Sequence, residues 1–219
     1  MTALSRCKTA IRRPILFLAL VCLIGLAGCG NAPTAEKWTM DASWAYGTRT
    51  IKTQTETAEI IAVGEVTKVD PARWNSPDGK QWEPKEEGSL AMVYTTFYVQ
   101  PTRLLKGESK FGTPIPFRVV GGIIGDTGQA ANAGADAKFS TIASGQQVIV
   151  FGLDDHRFGS ECSWTPAAYW LPSDVNSMWR MEGDTYNCLG QTDLEGEQRM
   201  ARPDLEAAIS GYLSTTKSK

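Results

Sequence analysis

Apolar residues in this chain fall into three kinds of pattern: one short block near the N-terminus, a succession of strand-like runs, and one run of helical period near the C-terminus. The first strand-like run is Ile60 to Val69. Ile61, Val63, Glu65, Thr67 and Val69 lie on one face and Ile60, Ala62, Gly64 and Val66 on the other, so both faces begin apolar and charge appears only toward the end. Gly64 inside the run predicts a bulge or sharp bend of the kind a small barrel needs at its corners. Met92 to Gln100 predicts a second strand, continuing through Thr102–Leu105 into a turn at Lys106-Gly107. Pro116 to Val120, closed by Gly121-Gly122, predicts a third, and Gln146 to Leu153, the most apolar, a fourth. Shorter late strands are expected at Ala168–Leu171 and Met178–Met181, the latter pairing with Thr185–Cys188 through Glu182-Gly183-Asp184 as a hairpin.

Pro203 opens the one convincing helix. Proline suits a first helical turn, Asp204 and Glu206 complement the dipole there, and Leu205, Ala208, Ile209, Tyr212 and Leu213 recur at helical spacing. Its apolar stripe must bury against the strands, so a capping helix over about 203–213 is expected. Upstream of the first strand, Trp38 to Thr57 has weak periodicity and allows at most a short helix near Thr53–Glu59. Asp70 to Gly88 is rich in turn chemistry, including Ser76-Pro77-Asp78-Gly79, and reads as a long surface excursion. Gly125 to Ala137 has the composition of a loop. The sum is a mainly β fold: a small OB-like β-barrel with long loop insertions and a C-terminal capping helix.

The N-terminal block changes the picture of where this barrel works. Arg6, Lys8, Arg12 and Arg13 precede the apolar stretch Ile15 to Leu26, with no acidic residue before Cys29. A basic start followed by an apolar stretch of this length is the layout of a secretory signal peptide; a membrane span wants about 20 apolar residues. Leu26-Ala27-Gly28-Cys29 resembles the lipobox of bacterial lipoproteins. That resemblance implies that the Cys29 thiol receives diacylglycerol and that cleavage makes Cys29 the first residue. Residues 1–28 are then a signal peptide, 29–37 a lipidated start and short tether, and 38–219 one domain. The competing reading is an uncleaved anchor, against which Gly25, Gly28 and Gly30 break the run where a peptidase needs small residues. Arg12-Arg13 also matches the twin-arginine export signal in part, although Pro14 follows it. Several acyl chains, at roughly 0.8 kcal/mol per buried CH₂, make release from a membrane rare. Gly30 in place of an aspartate leaves sorting to an outer membrane open where the cell has one.

Processing also sharpens charge and cysteine arithmetic. The mature chain carries 18 basic and 24 acidic residues, a net of −6. That balance argues against nucleic acid, whose binding needs a basic footprint, and against electrostatic docking on anionic lipid. Cys162 and Cys188 are the two cysteines left after lipidation, an even pair in an exported protein. A bridge would close a loop of about 27 residues, worth roughly 3–4 kcal/mol; two free thiols are the other reading.

The run from Ala58 to Leu153 resembles a loosely defined group of bacterial cell-surface proteins whose barrels are similar to netrin-like and tissue-inhibitor modules. The phrases that carry the likeness are Ala58-Glu59-Ile60-Ile61-Ala62-Val63-Gly64-Glu65-Val66, Tyr94–Val99, Leu104-Leu105-Lys106-Gly107, Phe117–Gly122 and Gly145–Phe151. The likeness implies a fold and no catalytic residues. It departs from the animal modules, which are cysteine-rich and use a free N-terminal cysteine.

For chemistry, Asp154-Asp155-His156 after the strongest strand could hold a cation or serve acid–base work, and supports the alternative of a metal-dependent or hydrolytic enzyme; a solvated turn is the plainer reading. Serines near His156 in sequence lack the Gly-x-Ser-x-Gly elbow. His156 is the sole histidine and two cysteines make an incomplete zinc shell, so neither metal nor cofactor is expected. Gly121-Gly122-Ile123-Ile124-Gly125 without a following lysine is poor evidence for a phosphate cradle and better read as a tight turn. Trp74 and Trp82, in a stretch with few apolar neighbours, are the candidate binding residues; Trp164, Trp170 and Trp179 read as structural. The expected function is a lipid-anchored, extracytoplasmic, non-enzymatic binding or envelope-accessory module, whose partner is another envelope protein or a cell-wall glycan.

Two outcomes follow. Cys29→Ala should leave an uncleaved precursor that takes up no labelled fatty acid; equal labelling of the variant would refute the lipid anchor. Peptide mapping of the non-reduced mature protein should find Cys162 linked to Cys188, whereas two alkylatable thiols would exclude the bridge.

Overall fold

The computed structural model describes residues 50–83, 85, 91–124, 129–131, 142–154, 167–171, 177–190 and 198–216, all within one compact unit, Glu36–Lys219. Five strands close a barrel: β1 (Ile60–Val69), β3 (Val93–Lys106), β4 (Ile115–Val120), β8 (Tyr169–Trp170) and β7 (Gln147–Asp154). They follow each other in that order around the ring, and β7 pairs back onto β1. Every pairing in the ring is antiparallel except the parallel pair of β4 with β8. Numbered along the barrel alone, the order is 1-2-3-5-4-1 with a parallel 3–5 contact, the OB arrangement. The short strand β2 (Arg73–Trp74) extends the line of β1 along β3. A ribbon of β5 (Gly122–Ile124) and β6 (Gln129–Ala131) follows β4. β9 (Met178–Glu182), β10 (Thr185–Cys188) and β11 (Arg199–Ala201) form a meander that continues the sheet from β7.

Alternation of side chains sorts the apolar residues into two cores. Ile60, Ala62, Val66, Phe97, Val99, Ile115, Phe117, Val119, Val148 and Val150 point inward and are fully buried. Three rings cross the interior from strand to strand: Phe97 stacks on Phe117 at 5.8 Å, and Phe117 meets Tyr169 at 5.8 Å. The outward set Ile61, Val63, Ile149 and Phe151 is also buried, beneath Trp179, Tyr186 and two helices. The apolar start of both faces of β1 thus has a cause: one face lines the barrel and the other is roofed.

The roof consists of α1 (Ile51–Thr57) and α2 (Arg202–Thr216). Thr50 caps α1, its hydroxyl accepting from the Thr53 amide at 3.2 Å. The Lys106 ammonium donates to the last-turn carbonyls of Thr55 at 2.8 Å and Glu56 at 3.0 Å. α2 follows β11 without a loop, buries Leu205 and Ile209 completely, and ties its Glu206 to Arg103 of β3 and to Arg202. It therefore lies on the side of the barrel rather than over an end.

β1 and β3 coil around each other by slipping register at three places: Ile61/Ala62, Val63/Gly64 and Val66/Lys68. Gly64 sits where the two backbones come closest: a Cβ there would stand 2.2 Å from the Gln100 carbonyl oxygen and 2.8 Å from the Pro101 Cα. At the far end of β4, Gly121 and Gly122 have φ of 96° and 141°, which turns the chain out of the barrel as expected of a tight turn.

Several elements differ from the sequence reading. The stretch Gly125 to Ala137, read as loop, contributes β6, and the polar excursion contributes β2. α1 begins two residues before the expected short helix and α2 extends to Thr216. β11 had no counterpart in the reading.

Gly64→Ala should lower unfolding stability by about 2 kcal/mol or more, since two backbones must separate to admit the methyl group. Gly112→Ala, where an added Cβ meets nothing within 4 Å, should stay within about 0.5 kcal/mol in the same denaturation series. Equal effects would contradict the close approach.

Candidate functional site

The connection from β1 to β3 carries both candidate tryptophans, and it is folded by its own hydrogen bonds. The Asp70 amide donates to Thr96 O at 2.8 Å, which keeps the chain beside β3 as it leaves β1. Trp74 N donates to Gly79 O at 3.1 Å and Gly79 N to Ser76 O at 2.9 Å, closing the Ser-Pro-Asp-Gly turn. The Asp78 carboxylate accepts from Lys80 N at 3.0 Å and from the Ser76 hydroxyl at 3.1 Å. The Lys80 amide, first, and then the Ser76 hydroxyl hold its pKa below the ordinary range. The Arg73 guanidinium lies under the turn and donates to the carbonyls of Ser76 and Pro77, both at 3.3 Å.

Asn75 holds this connection shut. Its side chain is 0 % exposed, and its Oδ1 accepts from Met92 N at 2.8 Å and from the Trp82 indole Nε1 at 2.9 Å. The Asn75 amide donates to Met92 O at 2.9 Å. One amide side chain thereby joins three points of the connection: its start, its aromatic middle and its return into β3. Trp74 and Trp82 are both half-buried rather than open platforms. Trp82 is half-buried with its indole N–H bonded to Asn75, a contact that restrains the ring.

The neighbouring outer face of β3 and β4 is polar and aromatic. The Arg118 guanidinium carbon stands 4.5 Å from the centre of the Tyr94 ring, and both residues are buried. Lys68 lies 4.9 Å over the Tyr98 ring and 2.7 Å from Asp70, and the Tyr98 hydroxyl donates to Asp70 at 3.0 Å. Burial, reinforced by Asp70, raises the Tyr98 pKa, and hydrogen bonding to Asp70 raises that of Lys68. Trp170 packs with Met92 and Val120, and Trp179 lies fully buried under the helices, so both are structural as read; Trp164 lies outside the described residues.

At the opposite end of the barrel, Asp154 is bonded to Lys110, whose ammonium also stands 3.7 Å from Glu59. The Asp154 amide donates to Glu59 Oε2 at 3.1 Å. The Tyr169 hydroxyl secures the same end, accepting from Lys110 N at 2.9 Å and donating to Glu108 O at 3.2 Å. Asp154 therefore serves an ion pair that joins β7 to the β3–β4 turn; Asp155 and His156 lie outside the described residues. Among the described residues no group of three or more His, Cys, Asp and Glu side chains is placed to hold a metal ion.

Cys188 lies half-buried on β10, opposite Trp179 of β9, and is the one cysteine among the described residues; Cys162 and Cys29 lie outside them, and no disulfide occurs within them. No helix among the described residues is long and apolar enough to cross a membrane. The sequence reading missed Asn75, because a bond from residue 75 to residue 92 leaves no local signature. It also missed the Arg118–Tyr94 and Lys68–Tyr98–Asp70 groupings, which depend on strand register.

The chain matches no family model, no curated protein and no solved structure.

Asn75→Ala should destabilise the protein by about 1–3 kcal/mol, because the buried Met92 amide loses its side-chain acceptor and the Trp82 indole its partner. Tryptophan emission should shift to the red as the Trp82 ring is freed. An unchanged spectrum and melting temperature would contradict the clasp.

Proposed function

We propose that this protein is a lipid-anchored, extracytoplasmic binding module, held to the membrane through Cys29, whose recognition element is the β1–β3 connection carrying Trp74 and Trp82. Its partner class is an envelope protein or a cell-wall glycan, with nucleic acid disfavoured by a mature net charge of −6. The address rests on the run Leu26-Ala27-Gly28-Cys29, and a Cys162–Cys188 bridge fits an exported domain.

The observation that carries the binding reading is the Asn75 clasp. Fixing loop residues is entropically costly, and among the described residues of this connection one buried amide ties the half-buried Trp82 to Met92 at the start of β3. A fixed aromatic ring loses little freedom on binding, which makes it a favourable anchor. The fold supports the same location, since OB barrels bind through the face of strands 2 and 3 and the loop joining strands 1 and 2. The barrel interior, filled with apolar side chains, acts as a scaffold. The alternative of an enzyme built on Asp154-Asp155-His156 draws less support, because the Asp154 carboxylate is already neutralised by Lys110.

The test begins with chemical cross-linking in intact cells and identification of the captured partner. Replacing both Trp74 and Trp82 by Ala should weaken that partner's binding by about 2 kcal/mol or more, roughly thirtyfold. Because both rings are half-buried, a loss of about 1–2 kcal/mol in folding stability should accompany it. Unaltered binding by a folded double variant would refute the assignment of the site.

A further inference from the structure

We infer that the partner of the β1–β3 connection is a wall glycan bearing carboxylates, and that Arg73 is the residue that reads the acid. The inference rests on the proposed recognition element and goes beyond it by choosing between the two partner classes and naming the contact.

Arg73 sits on β2, directly opposite Tyr94 of β3. The ladder runs on for one more residue through the bond from Asn75 N to Met92 O, so alternation puts Arg73 and Asn75 on one face of the connection. That is the side chain by which Asn75 holds the Trp82 indole. The Arg73 guanidinium is itself restrained. Its Nη2 donates to the carbonyls of Ser76 and Pro77, both at 3.3 Å. Gly79, with φ of 75°, lets the turn close against the group, since a Cβ there would stand 3.0–3.2 Å from the guanidinium atoms. Nε is buried and makes no hydrogen bond, whereas Nη1 makes none among the described residues and is not buried. One nitrogen of a restrained cation is therefore left to a ligand.

The other charges nearby are already matched. Asp70 is paired with Lys68 at 2.7 Å and Asp78 with Lys80 at 3.7 Å. Within residues 70–83, half-buried Arg73 and exposed Glu83 are the charged side chains without an ion pair among the described residues. A partly desolvated cation with donors unmet costs free energy that an arriving anion offsets. The mature net charge of −6 repels a polyanion at a distance, so an acid is met here by one placed guanidinium rather than by a broad field. A planar, singly charged carboxylate suits that group. The exposed positions of the stretch, Pro71, Pro77, Asp78, Lys80, Gln81 and Glu83, set the partner class. Lysine and acidic residues are depleted from the cores of protein interfaces, which favours a hydroxyl-rich chain over a second protein. Indoles among polar groups fit the same partner, because the C–H face of a sugar packs on an aromatic ring.

Co-sedimentation of the full-length protein, in detergent micelles, with insoluble wall glycan tests the assignment. The glycan is stripped of protein and offered in two forms, with its carboxylates free or converted to methylamides. Wild type should bind the free acid about tenfold more tightly than the amide. Arg73→Gln should lose about tenfold on the free acid and become indifferent to amidation. Glu83→Gln, which removes a charge from the same connection, should bind as well as wild type or better. Should wild type bind both forms alike, or Arg73→Gln stay as sensitive to amidation as wild type, the carboxylate contact is overturned while the recognition element stands. A loss with Glu83→Gln equal to that with Arg73→Gln would show both acting through the fold, and would overturn the assignment. If Arg73→Gln does not fold, Arg73→Lys decides: it keeps the charge without the planar fork and should lose about threefold, and undiminished binding overturns the contact. Absence of glycan binding, with a protein captured from a photoreactive residue at Gln81, overturns the glycan and leaves the recognition element standing. Absence of both overturns the recognition element itself.

Discussion

β1 is the strand on which everything else in the domain depends, because it is paired along both edges and buried on both faces. Its hydrogen bonds to β7 convert an open sheet into a closed barrel and remove two exposed edges at once. Its inward residues Ile60, Ala62 and Val66 meet Val150, Phe97 and Val99 in the interior, while Ile61 and Val63 need a second cover outside. The helices and the β9–β10 hairpin supply that cover. Gly64 is the consequence of the same constraint, for a strand coiled this tightly around β3 has no room for a side chain at the crossing.

That constraint was partly legible in the amino-acid sequence. A ten-residue run apolar on both faces, with a glycine inside it, leads directly to a doubly buried, bent strand, and the fourth run of the same character became β7. The late hairpin was legible from its turn residues, and α2 from its apolar spacing after Pro203. Among strands of two or three residues, β8 fell within an expected run, whereas β2, β6 and β11 are too short to show a period, and each exists only because a neighbour offers it an edge. The parallel contact of β4 with β8 was beyond reach for a similar reason, since it is made by two residues more than fifty positions away. α1 was read within two residues of its start because its threonines blur the helical signal.

The candidate site divides along the same line. Trp74 and Trp82 stood out as large aromatics in a polar stretch, which is a compositional signal. The feature that orders them, Asn75 reaching Met92 and Trp82, is a contact of seventeen and seven positions that composition does not carry. Conversely, Asp154-Asp155-His156 was compositionally attractive, yet Asp154 is committed to Lys110, forty-four positions away. Sequence density of polar residues marks where chemistry could occur; register decides which groups are already occupied. In the reading proposed here, the packed interior and, at one end, the Lys110–Asp154 ion pair and the Tyr169 hydroxyl bonds are the scaffold, and the clasped connection at the other end is the part that meets a partner.

Site-directed photo-crosslinking in living cells tests that reading most directly. A photoreactive residue at the exposed position Gln81, beside Trp82, should capture a discrete partner, while the same group at exposed Gly112, on the β3–β4 turn, should capture none. A partner trapped from position 112 and not from position 81 would contradict the account and move the recognition surface to the other end of the barrel.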